Sequence, residues 1–253
     1  MSRAFDLAYK SLREIDVNTT MSTSDWALIV NSDYTQLTHS KSKIVGYTSL
    51  NGFFIQIKKV ITSNKKRKYI YAYWPLFDSL FHLYGTNSEA AENHLMEFDK
   101  KLQQFINNLK GTNTMILITS DHGFIDTYED SVFWLDDHLE LAECLTHPLC
   151  GDTRVIYCYV DPSYTDQFEK YVDNKLSDYC FLYKSSDLIK EGFFGLFQEN
   201  QKLKDRIGDY TLIMKENYIL RDRFLAQKKS FHIGNHGGVS MDEMAIPLAF
   251  VKV

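Results

Sequence analysis

Six short apolar runs constrain the fold of this chain more than any other feature. They lie at residues 26–30, 69–74, 115–119, 155–160, 210–214 and 246–253. Most of them are almost continuously apolar instead of alternating, which is typical of strands that are covered on both faces. The runs therefore predict a sheet that is buried between layers of helices.

The segment between the second and third runs predicts a long amphipathic helix. Thr86 and Glu89 match a capping box at its start, and Lys110-Gly111 supplies a cation and a stop at its end. Apolar residues recur between these ends at helical spacing: Ala91, Leu95, Phe98, Leu102, Phe105, Ile106 and Leu109. A strand, a helix and a strand in this order indicate a right-handed crossover between parallel strands. We therefore expect an α/β fold with a layered, mostly parallel sheet and helices on both faces.

The later part of the chain is less regular. Residues 168–176 predict a second helix, and residues 134–145 predict an amphipathic helix with a charged face. The stretch 136–235 has no clear alternation of strands and helices. We expect an inserted cap there, within a single domain that spans residues 1–253.

Composition excludes several classes of protein. A length of 253 residues with 44% hydrophobic residues supports a substantial core, and the net charge of −5 gives no general attraction to nucleic acid or anionic lipid. The four cysteines contain no C-x-x-C pair, so neither a zinc knot nor a disulfide scaffold is indicated. No apolar run approaches the roughly 20 residues of a membrane span, and the N-terminal region lacks the apolar block of a secretory signal. We expect a cytoplasmic protein without a membrane or nucleic-acid polymer as partner, in which the basic run Lys65-Lys66-Arg67-Lys68 is a solvated turn.

Three polar segments follow predicted strands and could converge at one edge of the sheet. Asp78 and His82 come after the run 69–74 and are four residues apart, so one helical turn points both side chains the same way. Asp121 and His122 directly follow the run 115–119, with Gly123 permitting a sharp turn beneath them.

His236 belongs to the third segment, Gly234-Asn235-His236-Gly237-Gly238, near the C-terminus. Carboxylate oxygens and imidazole nitrogens are ligands that zinc and manganese prefer. Each motif alone is common, but three of them at strand ends predict a metal centre.

The segments resemble the alkaline phosphatase superfamily, most closely its type I phosphodiesterase/nucleotide pyrophosphatase family. The resemblance runs from about Tyr69 through the S-D-H-G segment, and resumes at Arg206-Ile207-Gly208-Asp209-Tyr210 and at the terminal H-G-G. It implies two divalent metal ions, zinc first with manganese or magnesium as alternatives. One ion would be bound by Asp78, His82 and His236, and the other by Asp121 and His122.

The resemblance also implies an activity, which is metal-dependent hydrolysis of phosphodiester or pyrophosphate bonds in nucleotide-like small molecules. Two cations suit this reaction because negative charge spreads over the phosphoryl oxygens in the transition state. The H-G-G-x-S ending is shared with other branches of the superfamily, so a phosphomutase-like or sulfatase-like activity is an alternative.

Two parts of the family pattern have no clear counterpart here: an Asp at the end of the first strand and a Thr or Ser nucleophile. Asp33 with Thr35, Thr38 or Thr48 could replace them, but Asn31-Ser32-Asp33 is ordinary turn sequence, and we leave these residues out of the site. The catalytic nucleophile is therefore unknown. The chain looks like the C-terminal portion of a family member, which a separate N-terminal segment could complete. An inactive, truncated remnant is the alternative function.

Five other residues are weaker candidates. His138 and His147 are expected at the surface, in or beside the helix 134–145. His232 precedes His236 by four residues and could be a further ligand or a substrate contact, although an exposed loop is the more ordinary interpretation. Tyr73, like Phe124, could border the substrate pocket.

Overall fold

The computed structural model describes residues 18–24, 32–39, 42–64, 67–222 and 232–253. They cluster into two units. The first contains the described residues of Met1–Ser79, Glu89–Ile118 and Leu248–Val253, and the second those of Leu80–Ser88 and Thr119–Pro247. The single domain with an inserted cap stays a prediction. The predicted strand 26–30 lies outside the described residues, as do Lys65 and Lys66 of the basic run.

A three-stranded parallel sheet forms part of the first unit. Its central strand β1 (Asn18–Ser24) pairs with β2 (Lys43–Tyr47) on one side and β3 (Lys68–Ala72) on the other. A separate pair joins β4 (Met115–Thr119) to the last strand, β13 (Leu248–Lys252). Within the described residues β3 and β4 thus lie in different sheets, and the predicted crossover between neighbouring parallel strands is not seen.

Helices also belong to the described part of this unit. They are α1 (Asp33–His39), α2 (Leu50–Thr62), the first turn of α3 (Leu76–Tyr84) and α4 (Glu89–Asn107). The side chain of Ser49 caps α2 by accepting a hydrogen bond from Gly52 N at 3.1 Å. Buried apolar residues of α2 recur at helical spacing and pack with Phe105 and Leu109: Leu50, Phe53, Phe54 and Ile57. These contacts form the core of the first unit.

The long predicted helix is present as α4, but its predicted capping box is wrong. The Thr86 side chain donates instead to Asp126 Oδ2 at 3.0 Å, and the Thr86 N–H donates to Oδ1 at 2.8 Å. Because α4 begins at Glu89, Thr86 and Glu89 are not at the N-cap and N3 positions that a capping box requires. Gly111 follows the end of α4 with φ +81°, a conformation that glycine adopts without steric cost.

The second unit is built from short strands and helices. Its strands are β5 (Ile125–Asp126), β6 (Val132–Trp134), β7 (Cys150–Gly151), β8 (Val155–Cys158), β9 (Cys180–Lys184), β10 (Tyr210–Met214), β11 (Ile219–Arg221) and β12 (Gly234–Asn235). Its helices are the end of α3, α5 (Leu139–Ala142), α6 (Thr165–Tyr171), α7 (Ser185–Lys190) and α8 (Met241–Met244).

The largest sheet among the described residues is antiparallel, in the order β7-β8-β10-β9. All five residues of β10 are buried, as its continuous apolar run predicts. The mixed α/β class is therefore confirmed, whereas a mostly parallel sheet is not what these residues form. The reason is that an apolar run indicates how deeply a strand is buried but not the direction of its neighbours.

Two helix predictions had different outcomes. The helix predicted at 168–176 is present as α6 followed by the π-helical turn Val172–Leu176. The helix predicted at 134–145 is wrong, because this stretch contains the 3₁₀ turn Leu135–Asp137 and the short α5. His147 is exposed as predicted, but His138 is half-buried and its Nδ1 lies 2.7 Å from the Tyr171 hydroxyl.

Within the residues that the structure describes, no helix is long and apolar enough to cross a bilayer. The cytoplasmic location stays a prediction.

The four cysteines are free thiols, and we expect them to differ in reactivity. Cys144, Cys158 and Cys180 are buried, and burial raises the pKa of each thiol, that of Cys180 to about 11. Cys150 is exposed. Because the thiolate is the reactive species, a thiol-specific chromogenic reagent at pH 8 should modify Cys150 rapidly and the other three only after unfolding. Cys150→Ser should remove the fast phase, and more than one fast thiol in the native protein would contradict this prediction.

Candidate metal centre

Three histidines from separate segments of the second unit lie in contact. His82 is in the last turns of α3, His122 follows β4, and His236 follows β12. The ring centroids of His122 and His236 are 3.8 Å apart with the rings stacked, and those of His82 and His236 are 5.1 Å apart. We call His82, His122 and His236 the histidine cluster. The three polar segments of the sequence thus bring their imidazoles to one place.

Main-chain carbonyl groups fix the tautomer of two of these rings. Nδ1 of His82 lies 2.8 Å from Gly234 O, and Nδ1 of His122 lies 3.0 Å from Gly123 O. A carbonyl oxygen can only accept, so Nδ1 donates and the lone pair of the neutral ring is on Nε2. This arrangement is the one in which histidines bind metal ions, because the second nitrogen is held by an outer partner.

Asp121 extends the cluster toward solvent. Its side chain is 62% exposed, and its Oδ1 lies 3.8 Å from Nε2 of His122. A carboxylate oxygen and a nitrogen lone pair can both bind a cation, and zinc binds such atoms at about 2.0–2.2 Å. The two atoms are therefore close enough for one ion to contact both. The donor set fits a divalent metal.

Asp78 is one turn before His82 on α3, and its side chain is half-buried. Because α3 is continuous from Leu76 to Tyr84, residues four apart project from the same side of the helix. The helical turn predicted for this pair is therefore confirmed.

Phe124 is the aromatic neighbour of the histidine cluster. Its ring centroid lies 5.2 Å from that of His82, 5.1 Å from that of His122 and 5.0 Å from that of His236. The contacts with His82 and His236 are edge-on and that with His122 is tilted, and close packing of this kind limits rotation of the imidazole rings. Phe124 is thus a packing residue of the cluster. Tyr73, the other residue expected at the pocket, belongs to the first unit, where its main-chain oxygen accepts from the Tyr47 hydroxyl.

A buried ion pair holds the loop that carries His236. Glu243 accepts from Gly238 N and from Ser240 Oγ, both at 2.7 Å. Its carboxylate also accepts from Ser240 N at 3.4 Å, which is one half of a capping box at the start of α8. Arg154 donates to the same carboxylate from Nε at 3.0 Å and from Nη2 at 2.8 Å. Arg154 also donates from Nη1 to the main-chain oxygens of Lys215 and Tyr218.

The electrostatic state of Glu243 follows from these contacts. Burial alone raises the pKa of its carboxyl group, but the hydrogen bonds from Arg154 and Ser240 outweigh burial and hold the pKa below its ordinary value. The carboxylate is therefore charged at neutral pH and can bind all of these donors. Ser240 and Glu243 match the S-x-x-E capping signature, which is the sequence signal by which this contact could have been predicted.

Glycines bring the motifs into main-chain contact. Gly123 N donates to Glu243 O at 2.8 Å, and a Cβ at Gly123 would lie 1.9 Å from Asp242 O. A Cβ at Gly234 would lie 2.4 Å from Phe81 O, beside the end of α3. These two positions therefore admit only glycine without a backbone shift. Their role is close approach of main chains, whereas the sequence predicts a sharp turn at Gly123.

The weaker candidates differ in their distance from the histidine cluster and in their local structure. His232 is exposed, and its ring centroid lies 4.6 Å from that of His82, so it borders the cluster. Asp33 begins α1 instead of lying in a surface turn. Thr35 is 3% exposed, and its N–H donates to Ser32 Oγ at 3.2 Å, which is a helix-capping contact. Thr48 is exposed, and the side chain of Thr38 lies outside the described residues.

A model of the type I phosphodiesterase/nucleotide pyrophosphatase family matches residues 12–239 of the chain. No curated protein matches the chain significantly. The matched range includes Asp78, His82, Asp121, His122 and His236, which are the predicted metal ligands.

Several solved structures share the fold. Murine ectonucleotide pyrophosphatase/phosphodiesterase 5 is 18% identical with a TM-score of 0.70, over 95% of this chain and 62% of that one. The human protein is 19% identical with a TM-score of 0.68, over 96% of this chain and 62% of that one. Phosphonoacetate hydrolase from Sinorhizobium meliloti 1021, solved with phosphonoformate, is 15% identical with a TM-score of 0.62, over 94% of this chain and 66% of that one.

The chain thus spans about three fifths of the length of the phosphodiesterase structures that it matches. The family model covers nearly all of it, from residue 12 to residue 239. This chain therefore belongs to the type I phosphodiesterase/nucleotide pyrophosphatase family.

Proposed function

We propose that this chain hydrolyses phosphodiester or pyrophosphate bonds in nucleotide-like substrates, with divalent metal ions bound at the histidine cluster. The observation that carries the proposal is the contact of three imidazoles, two of which donate from Nδ1 to main-chain carbonyls. Family membership supports the same class of reaction.

The ligands divide into two sets in this proposal. Asp78 and His82 would bind one ion together with His236, and Asp121 and His122 would bind a second. Zinc suits these donors best, since imidazole and carboxylate are its ordinary ligands. Bound divalent ions would stabilise the negative charge that develops on the phosphoryl oxygens. The contribution of the protein to metal binding would be to hold the imidazole rings in place through Gly234 O, Gly123 O and Phe124.

A nucleotide-like substrate is favoured by one related structure. An inactive variant of the murine phosphodiesterase was solved in complex with AMP, and its structure matches over 93% of this chain. The net charge of −5 argues against a nucleic-acid polymer as the substrate, so we propose a small molecule.

Metal content and hydrolysis test the proposal together. After zinc loading and dialysis, elemental analysis should give between one and two ions per chain. Zinc-loaded protein should hydrolyse bis(4-nitrophenyl) phosphate faster than 4-nitrophenyl phosphate or 4-nitrophenyl sulfate, and EDTA should abolish the activity. The three esters separate a diesterase from a phosphomutase-like or sulfatase-like relative.

Two results would overturn parts of the proposal. Fewer than one zinc ion per chain, with hydrolysis that EDTA does not affect, would remove the metal centre. Full zinc content without hydrolysis of any ester would favour the inactive remnant.

A further inference from the structure

A cavity within the second unit opens beside the histidine cluster. It has a volume of about 270 Å³ and is lined by His82, Asp152, Thr153, Arg221, His232, Asn235 and His236. Pockets that hold whole ligands are usually about 300–1,000 Å³. The cavity is therefore suited to one or two small charged groups of a substrate, not to an entire nucleotide.

We propose that Arg221 binds a second anionic group of the substrate in this cavity, so that the site prefers pyrophosphate-type substrates to simple diesters. The proposal deepens the proposed function and depends on it for the position of the reacting phosphoryl group. Arg221 would be a specificity residue. Its planar guanidinium can donate two parallel hydrogen bonds to a phosphate.

Both the main chain and the side chain of Arg221 are held in position. Its main chain is in β11, which pairs in parallel with β6 so that Arg221 lies opposite Trp134. Its Cζ lies 5.6 Å from the Trp134 ring centroid, which is a cation–π contact. A guanidinium held against an indole loses less freedom when it binds an anion than one on a mobile side chain.

Residues of the histidine cluster form another part of the cavity wall. His82 and His236 line it together with Arg221. A reacting phosphoryl group at the histidine cluster would therefore have a second anion-binding group in the same cavity. A substrate with two linked anionic groups can contact both, whereas a simple diester can contact only one.

Asp152 is the acidic residue of the cavity, and its charge opposes anion binding. Asp152 is exposed, however, whereas Arg221 is half-buried. Its Oδ1 accepts from Thr153 N at 2.6 Å and from Thr153 Oγ1 at 3.4 Å. Burial lowers the pKa of the Arg221 guanidinium, and the charge of Asp152 opposes this effect. A bound anion would therefore compete with an exposed, water-screened carboxylate for the guanidinium.

Binding of two non-hydrolysable probes tests the proposal. Methylenebisphosphonate carries two linked anionic groups, and methylphosphonate carries one. The zinc-loaded wild-type protein should bind methylenebisphosphonate at least about tenfold more tightly, the range expected of a hydrogen-bonded charge pair. Arg221→Ala should lose this preference, and Arg221→Lys should retain part of it because the charge remains.

Arg206→Ala is the matched control, because Arg206 is exposed in the same unit and does not line the cavity. It should keep the full preference. The same titrations after EDTA treatment isolate the contribution of Arg221, whose charge does not depend on bound metal. Circular dichroism of each variant checks that the protein is folded.

The outcomes separate this proposal from the proposed function. An equal preference in wild type and Arg221→Ala, or no preference in the wild type, would overturn the role of Arg221. If the preference depends on Arg221 but zinc-loaded protein hydrolyses no ester, the proposed function fails and the anion site stands.

Discussion

Replacing Arg154 by alanine is expected to lower the free energy of unfolding by about 3–5 kcal/mol, the usual effect of removing one partner of a buried ion pair. Both side chains of the pair with Glu243 are 1% exposed. Without the guanidinium, the carboxylate would remain buried with only the donors from Gly238 and Ser240. Urea unfolding followed by circular dichroism measures the change.

The pair of Lys190 and Asp187 provides a matched control. Its N–O distance is also 2.8 Å, but its side chains are 74% and 50% exposed. Lys190→Ala should leave the urea midpoint unchanged, because water screens an exposed pair. Equal shifts for the Arg154 and Lys190 variants would contradict the importance of burial.

Glu243→Gln refines the same prediction. The amide keeps an oxygen that can accept from Gly238 N, but it loses the charge that Arg154 pairs with. We expect a loss of stability similar in size to that of Arg154→Ala, because the buried guanidinium is then unpaired. A neutral effect would mean that the contact with the His236 loop depends on shape and not on charge.

Replacing His82 by alanine is expected to reduce zinc affinity and diester hydrolysis by at least about 100-fold. Changes to an outer partner of a metal ligand typically cost about 10–100-fold, and removing a ligand should exceed that. The variant loses the ring that Gly234 O orients at 2.8 Å and that contacts the ring of His236. Equilibrium dialysis against buffered zinc and initial rates with bis(4-nitrophenyl) phosphate measure the two effects.

His147→Ala is the control for this variant, because His147 is exposed and does not belong to the histidine cluster. It should bind zinc as the wild type does. Free imidazole in the buffer should restore part of the activity of His82→Ala, since it can occupy the missing ligand position. Wild-type zinc content in His82→Ala would remove His82 from the metal centre.

The sequence predicted correctly the strands and helices in which one pattern of apolar residues is clear. The strands Met115–Thr119 and Tyr210–Met214 have the predicted bounds, and α4 follows its apolar repeat. The helix α2 escaped prediction, because its sequence LNGFFIQIKKVIT combines a glycine with β-branched residues that favour strands. The strand β1 escaped because its sequence, NTTMSTS, is almost entirely polar.

The sequence predicted that three histidine-bearing segments could converge, and the rings of His82, His122 and His236 do lie in contact. That these residues bind metal stays a prediction. Prediction failed where a contact depends on a partner far along the chain. Arg154 and Glu243 are 89 residues apart, and no local pattern pairs them. Arg221 is likewise unremarkable in sequence and becomes a candidate only when folding places it on the wall of the cavity.

The glycines of the two motifs have a consequence for how this family evolves. Gly123 and Gly234 are required because main chain occupies the space of a side chain, and Gly238 because the Glu243 carboxylate lies 2.5 Å from where a Cβ would be. A descendant that no longer needed to hydrolyse anything would still have to keep these glycines in order to fold, whereas its metal ligands would be free to drift. Retained glycines would therefore indicate shared ancestry, whereas retained metal ligands would indicate selection for the chemistry.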